Sequence, residues 1–186
     1  MNAISWRPLA VLLVAAVAAT RLVPVEYRLL NFTAIGALAM FATARIGWQA
    51  GLLMAGGGML ASDLLLWKQH GYDSDYLPMP SVYVGLLGYG VLAWAFLRRT
   101  ENPLKIGGVA IAGSAIFFVA TNFASWLAQA LPYGYTPGGL LNCFEMGLPF
   151  HRGTILGDLL FSGMLFGAHA ALSRVFQREL VAETVR

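Results

Sequence analysis

Long apolar runs separated by short polar segments dominate the sequence. A helix needs about 20 mostly apolar residues to cross the hydrocarbon core of a membrane. Six runs approach or reach this length, so the pattern predicts a single all-α integral membrane domain, a six-transmembrane-helix bundle over residues 1–186. The predicted spans are 8–25, 29–44, 48–67, 82–97, 106–131 and 154–175.

Two of the links between these spans are longer than the others. The links 68–81 and 132–153 both contain several Pro, Gly and Tyr residues, which favours ordered turns over flexible linkers. Within the second link, residues 140–148 fit a short amphipathic helix. We therefore expect two structured loops over one end of the bundle.

Composition supports a membrane protein. Hydrophobic residues make up 58% of the chain and charged residues 11%, against about 25% charged residues in soluble domains. The net charge is +3, but the basic residues lie between the apolar runs, not in a stripe with aromatics, which argues against nucleic-acid binding. The first run resembles a signal peptide. Arg21 follows it where a small-residue cleavage site would stand, so we interpret the run as a retained helix.

The basic residues also predict an orientation. Eight of the twelve Lys and Arg residues lie on the side that holds both predicted termini. Cytoplasmic segments carry an excess of Lys and Arg. We therefore expect a protein of the bacterial inner membrane that has both termini in the cytoplasm and the two longer loops facing the periplasm.

Polar side chains inside the predicted spans are the first candidate site residues. Charged groups within a bilayer are costly and usually functional. At a rise of about 1.5 Å per residue, Asp63, Asn122, Trp126 and Asp158 share one layer beneath the longer loops, where they fit the wall of an outward-facing ligand pocket. The alternative is a structural network in which the acids cap helix ends or pair with nearby arginines. The arginines at a suitable depth are Arg21, Arg28 and Arg152.

The segment before the last span contains the other candidates. Small-molecule sites typically combine aromatic and a few polar side chains, and this segment carries Tyr135, Asn142, Cys143, Glu145 and His151. The alternative is an interfacial segment anchored by its aromatics.

Cys143 is the only cysteine, so the chain has no internal disulfide. Thiolate and imidazole ligands suit transition metals, which makes Cys143 a candidate ligand for a metal-containing substrate such as a cobalt corrinoid. The alternative is a free cysteine that packs as a small hydrophobic residue.

No enzymatic pattern is present. The chain lacks a Gly-x-Ser-x-Gly elbow, a His-Glu-x-x-His motif and a Walker loop. We therefore predict a protein that is not an enzyme and that carries no cofactor or resident metal. Small residues occur at helical spacing in Ala15-xxx-Ala19 and Gly163-xxx-Gly167, where they suit close helix packing within the chain or against a partner.

Two segments carry a family resemblance. Asn31-Phe-Thr-Ala-Ile-Gly-Ala-Leu-Ala-Met-Phe and the stretch from Cys143-Phe-Glu-Met-Gly-Leu-Pro-Phe-His-Arg to Gly163, together with Ser62-Asp63, resemble an uncharacterised family of small bacterial membrane proteins. That family in turn resembles the S components of energy-coupling factor (ECF) vitamin transporters, including solitary cobalamin carriers.

The resemblance implies six helices, cytoplasmic termini and an outward pocket closed by loops. It also implies coupling to an ECF-type energising module through small residues of the first helix, here Ala15 and Ala19. In the cobalamin carriers, the cysteine that ligates cobalt lies in an earlier loop, whereas this chain has Cys143 in the fifth loop.

The sequence thus supports three hypotheses. The first is an S-component-like carrier that captures a vitamin, a precursor or a metal-containing corrinoid from the periplasm. The second is a membrane assembly subunit that binds a protein partner through its outer loops. The third is a membrane enzyme that acts on a lipid or a quinone.

Overall fold

The computed structural model describes residues 6–23, 31–69 and 80–184, and within these ranges it contains helices and no strand. A π-helical turn, Leu52–Gly56, joins two of the helices end to end. The α-helices are α1 (Trp6–Leu22), α2 (Ile35–Arg45), α3 (Trp48–Gly51), α4 (Gly57–Gln69), α5 (Pro80–Phe96), α6 (Pro103–Leu127) and α7 (Pro137–Thr184). The predicted all-α class is therefore confirmed for the described residues.

Helix α2 forms the centre of the bundle. Every residue from 35 to 44 is buried, and α2 contacts α1, α3, α5, α6 and α7. A helix that is apolar on every face is stable when neighbours cover it all round. Leu38 and Met40 pack here with Tyr89 and Phe166 in one continuous core.

Three of the described helical segments are long and apolar enough to cross a membrane, judged by length and composition. These segments are Trp48–Lys68, Pro103–Leu127 and Pro137–Val175. Helices Ile35–Arg45 and Pro80–Phe96 are apolar but shorter. Many large apolar side chains on α4 to α7 are exposed, Leu64 and Val84 among them. Lipid is the environment that such surfaces suit, because a bilayer removes the cost of exposing them.

The start of α7 corrects the prediction of a loop over 132–153. The helix begins at Pro137 and continues through Pro149, so the predicted short helix 140–148 is part of α7. Thr136 caps this start, because its hydroxyl accepts a hydrogen bond from the N–H of Gly139. Proline is favourable at the first helical position, where its missing N–H costs nothing. The Pro and Gly residues that suggested turns are therefore tolerated within and at the start of a helix.

The other boundaries differ by a few residues. Helix α6 begins at Pro103, after Asn102 caps the N–H groups of Leu104 and Lys105. It ends at Leu127 because Gln129 has a left-handed backbone, with φ +48°. Most of the predicted loop 68–81 falls on 70–79, which lies outside the described residues.

Candidate functional site

A cavity of about 600 Å³ lies at one end of the bundle. We call this the Asp63 end: α1 and α4 end there, and α2 and α5 begin there. Residues from α1, α2, α4, α5, α6 and α7 line the cavity, so it is a feature of the whole bundle. Its polar lining residues are Arg21, Asn31, Thr33, Asp63, Tyr89, Thr121, Ser125, Thr154 and Asp158.

Asp63 is held in this wall by an ion pair. The guanidinium of Arg21 donates to Oδ1 of Asp63 at 2.6 Å, and it also donates to the Ser62 hydroxyl and the carbonyl of Met59. Both charged side chains are largely buried. The arginine pairing considered in the sequence analysis thus occurs in the structure, and the pair itself lines the cavity.

Asp158 has a different partner. The Tyr89 hydroxyl donates to Oδ2 of Asp158, and both residues are 1% exposed. The backbone N–H of Ala37, in the first turn of α2, faces the same carboxylate. Such N–H groups have no partner within their own helix and carry partial positive charge, so they favour an acidic group.

Glycines make room for this pair. A Cβ atom at Gly36 would clash with Oδ1 of Asp158, and one at Gly113 would clash with the ring of Tyr89. The two helices that carry these glycines therefore press directly on the pair, which fixes both side chains at the inner wall of the cavity.

A second cavity of about 390 Å³ adjoins the first. Asn122, Cys143 and His151 lie in its wall. Six residues line both cavities: Asn31, Phe117, Thr121, Ser125, Phe150 and Thr154. The two cavities are therefore neighbouring parts of one recess.

Hydrogen bonds and a ring contact link α6 and α7 around the second cavity. The thiol of Cys143 donates to the carbonyl of Asn122 at 3.3 Å, and Cys143 is 1% exposed. His151 stacks on Phe118, with ring centroids 4.4 Å apart, and its Nδ1 lies 3.3 Å from the Ser114 hydroxyl. These contacts hold the thiol of Cys143 and the imidazole of His151 in place where they border the recess.

Four of the predicted site residues line neither cavity. Trp126 donates to the carbonyl of Gly134 at 3.0 Å, and Tyr135 donates to that of Leu127 at 3.1 Å. The two rings also contact each other, so they clamp the turn between α6 and α7. Asn142 and Glu145 are exposed on α7.

Several polar residues of the recess are not among the predicted site residues, and Tyr89, Arg21 and Asn31 are three of them. Tyr89 lies within an apolar span, and the sequence suggests Arg21 only as a counter-ion. Asn31 adopts a left-handed backbone, with φ 56°. Asparagine tolerates this conformation better than most residues, but no sequence signal indicates that it borders both cavities.

Two other sequence predictions concern a metal-containing ligand and the small residues of α1. Among the described residues, no three His, Cys, Asp or Glu side chains come together in an arrangement that suits a metal ion. Ala15 and Ala19 are exposed on α1.

Comparison with known proteins adds one assignment. No curated protein and no solved structure matches the chain. A model of the family described as "Family of unknown function (DUF6580)" matches residues 2–180. Because the match covers nearly the whole sequence, the chain belongs to this family, DUF6580.

Proposed function

We propose that the chain is an S-component-like membrane carrier, which captures a small molecule in the recess at the Asp63 end and delivers it for uptake. The observation that carries this proposal is the pair of adjoining cavities of about 600 and 390 Å³. Binding sites for small molecules are typically clefts of roughly 300–1,000 Å³ with apolar walls and a few placed polar groups.

The chemistry of the walls favours a ligand without a strong negative charge. Arg21 is the only cation that lines either cavity among the described residues, and it is already paired with Asp63. An anionic ligand would also face the carboxylate of Asp158. Phe117 and Phe150 offer apolar and aromatic contact. We therefore propose a neutral, ring-containing compound such as a vitamin or a vitamin precursor.

A metal-containing corrinoid is the less favoured ligand. A corrinoid is larger than the drug-sized molecules that cavities of this volume normally hold. The Cys143 thiol is also engaged with the carbonyl of Asn122, so ligation to cobalt would require that hydrogen bond to break. Cys143 nevertheless lines the second cavity and stays the candidate ligand within that version of the proposal.

The membrane context forms part of the same proposal. We place six spans in the bacterial inner membrane, with both termini in the cytoplasm and the Asp63 end facing the periplasm. The distribution of Lys and Arg supports this orientation. The exposed Ala15 and Ala19 on α1 support a contact with an ECF-type energising module. In this role the chain is not an enzyme and does not bind nucleic acid.

The test is native mass spectrometry of the protein purified from membranes, to detect a retained small molecule. The variant Ser125→Trp should lose the molecule, because Ser125 borders both cavities and the indole would fill them. The matched control is Ala115→Trp, on an exposed part of the same helix, which should retain it.

Other results would point elsewhere. If neither the purified protein nor the protein mixed with a vitamin panel binds a small molecule, the carrier proposal fails and the assembly-subunit alternative gains. A retained lipid or quinone that the protein chemically converts would support the enzyme alternative.

A further inference from the structure

A third cavity, of about 470 Å³, lies at the opposite end of the bundle from the recess. It is bounded by the beginning of α6, the second half of α7 and Arg45 at the end of α2. We call it the Arg45 cavity. Within the described part of the chain it shares no lining residue with the two cavities of the recess, so the proposed carrier function does not account for it.

A buried hydroxyl without a partner lies in its wall. Ser162 is 1% exposed, and its Oγ has no hydrogen-bond partner among the described residues. A buried hydroxyl without a hydrogen-bond partner destabilises the folded protein. Because Ser162 lines the cavity, a polar atom of a bound molecule would satisfy it.

Four other residues of the α7 wall are small, and they accompany the larger Leu159, Phe166 and Arg174. Gly163, Gly167, Ala170 and Ala171 line the cavity at helical spacing. A Cβ atom at Gly163 or Gly167 would meet nothing within 4 Å. The open space beside these residues therefore forms a groove along α7 with room for polar groups, and the apolar Leu159 at its deeper end suits a hydrocarbon chain.

Two cations face this groove. The guanidinium of Arg45 lies 4.8 Å from the centre of the Phe166 ring and donates to the carbonyls of Leu97 and Thr100. An arginine has five N–H donors, so Arg45 retains donors for a ligand. Arg174 also lines the cavity, and it makes no ion pair or hydrogen bond with any residue that the structure describes.

The cavity carries an excess of positive charge. Among the described residues, Glu101 is the lining carboxylate of this cavity, against the guanidinium groups of Arg45 and Arg174. Basic pockets at the ends of membrane helices suit anionic lipid headgroups. The surplus cation therefore favours an anionic occupant over a neutral one.

The spacing along α7 matches a phospholipid. Ser162 precedes Phe166 by one helical turn, about 6 Å, and Arg45 lies over Phe166. A phosphate beside Arg45 would place the glycerol ester groups one turn deeper, near Ser162. Arg174 lies two turns further toward the end of the bundle, about 12 Å from Phe166 along α7, where the polar headgroup would be.

We propose that the Arg45 cavity binds an anionic phospholipid, with its phosphate at Arg45, an ester group at Ser162 and an acyl chain that runs from Gly163 toward Leu159. The test is native mass spectrometry of delipidated protein titrated with phosphatidylglycerol and, separately, with phosphatidylcholine of the same acyl chains. Phosphatidylglycerol should bind more tightly. Equal binding of the two lipids would overturn the proposal.

Two matched pairs of variants locate the site. Gly163→Leu fills the groove and should abolish the preference for phosphatidylglycerol, whereas Gly108→Leu should not, since a Cβ at Gly108 also meets nothing within 4 Å and Gly108 does not line the cavity. Arg174→Gln should weaken binding about fivefold, and Arg99→Gln, exposed at the same end, should not. If each control behaves like its partner, the lipid binds elsewhere and the proposal fails.

A third variant separates lipid binding from folding. Ser162→Ala removes the unpaired hydroxyl, so the delipidated protein should become more stable to heat while its affinity for phosphatidylglycerol falls. Unchanged affinity would overturn the role of Ser162 even if Gly163→Leu failed to fold.

Two further arms distinguish other occupants. Glycerol 3-phosphate should compete weakly, and competition as strong as that of the whole lipid would show a soluble anion site instead. A dimer of the wild-type protein that Gly163→Leu converts to a monomer would show that a second copy occupies the groove. Either outcome contradicts the lipid assignment.

Discussion

Asp158 is an acidic residue that lies buried within the bundle. It is a carboxylate that is 1% exposed in a bundle of apolar helices, and a buried acid is tolerated only when hydrogen bonds compensate its lost hydration. Tyr89 supplies one such bond, and Gly36 leaves the space that the carboxylate needs. The position of Asp158 thus depends on the absence of a side chain at Gly36.

We predict that Gly36→Ala destabilises the protein by about 1–3 kcal/mol, the usual cost of forcing an extra methyl group into a packed core. The new Cβ would clash with Oδ1 of Asp158 and lie 2.8 Å from Cζ of Tyr89. Thermal unfolding in detergent, followed by circular dichroism, measures the change.

The control is Gly57→Ala, because a Cβ there meets nothing within 4 Å. This variant should be neutral or stabilised by up to about 1 kcal/mol, since alanine favours a helix more than glycine does. Equal unfolding temperatures for the two variants would contradict the proposed packing around Asp158.

At the scale of elements, α7 connects both regions of interest. This helix of 48 residues carries Cys143, His151 and Asp158 toward the recess and Ser162 and Arg174 toward the Arg45 cavity. Along a helix the residues follow one another at about 1.5 Å per residue. The same helix therefore contributes side chains to both regions.

Helix α1 carries two exposed small residues that we predict to contact a partner. Ala15 and Ala19 are exposed and lie one turn apart, so the double variant Ala15→Leu/Ala19→Leu should fold and bind ligand normally while uptake by cells falls. Bulky side chains would block the close approach of a partner helix. Uptake of the retained compound and thermal stability are measured side by side.

The matched control is Ala16→Leu, at a neighbouring exposed position of α1, which should leave uptake unchanged. If the double variant unfolds instead, the two alanines pack within the chain, and the coupling to a partner loses its main support.

At the scale of the whole molecule, the recess and the Arg45 cavity lie at opposite ends of the bundle. A carrier of the proposed kind needs the recess to face the periplasm, and an anionic lipid from the cytoplasmic leaflet needs the Arg45 cavity to face the cytoplasm. One orientation satisfies both requirements.

Cysteine labelling tests this orientation. In a variant with Cys143→Ala, a new cysteine at Gly138 should react with a membrane-impermeant maleimide added to intact spheroplasts, and one at Thr100 should react only after the cells are opened. Gly138 is exposed and Thr100 lies between α5 and α6. The reverse pattern would turn the recess toward the cytoplasm and exclude capture from the periplasm.

The sequence by itself determined the helical class and several of the polar positions that matter. Hydropathy is a property of each residue and its near neighbours, so the apolar run 48–67 predicted the helical segment Trp48–Lys68 almost to the residue. The same reasoning singled out Asp63 and Asp158, because a carboxylate in an apolar run is conspicuous wherever its helix packs.

Only the tertiary structure decided the partners and the spaces between helices. Arg21 and Asp63 are far apart in sequence, as are Tyr89 and Asp158, and each pairing depends on which helices are neighbours and how they are rotated. The start of α7 at Pro137 likewise depends on the Thr136 cap and on packing against α6, which offset the unfavourable local signals of Pro149 and the glycines. Cavities have no sequence signature at all, because they form where side chains from six separate elements leave volume unfilled.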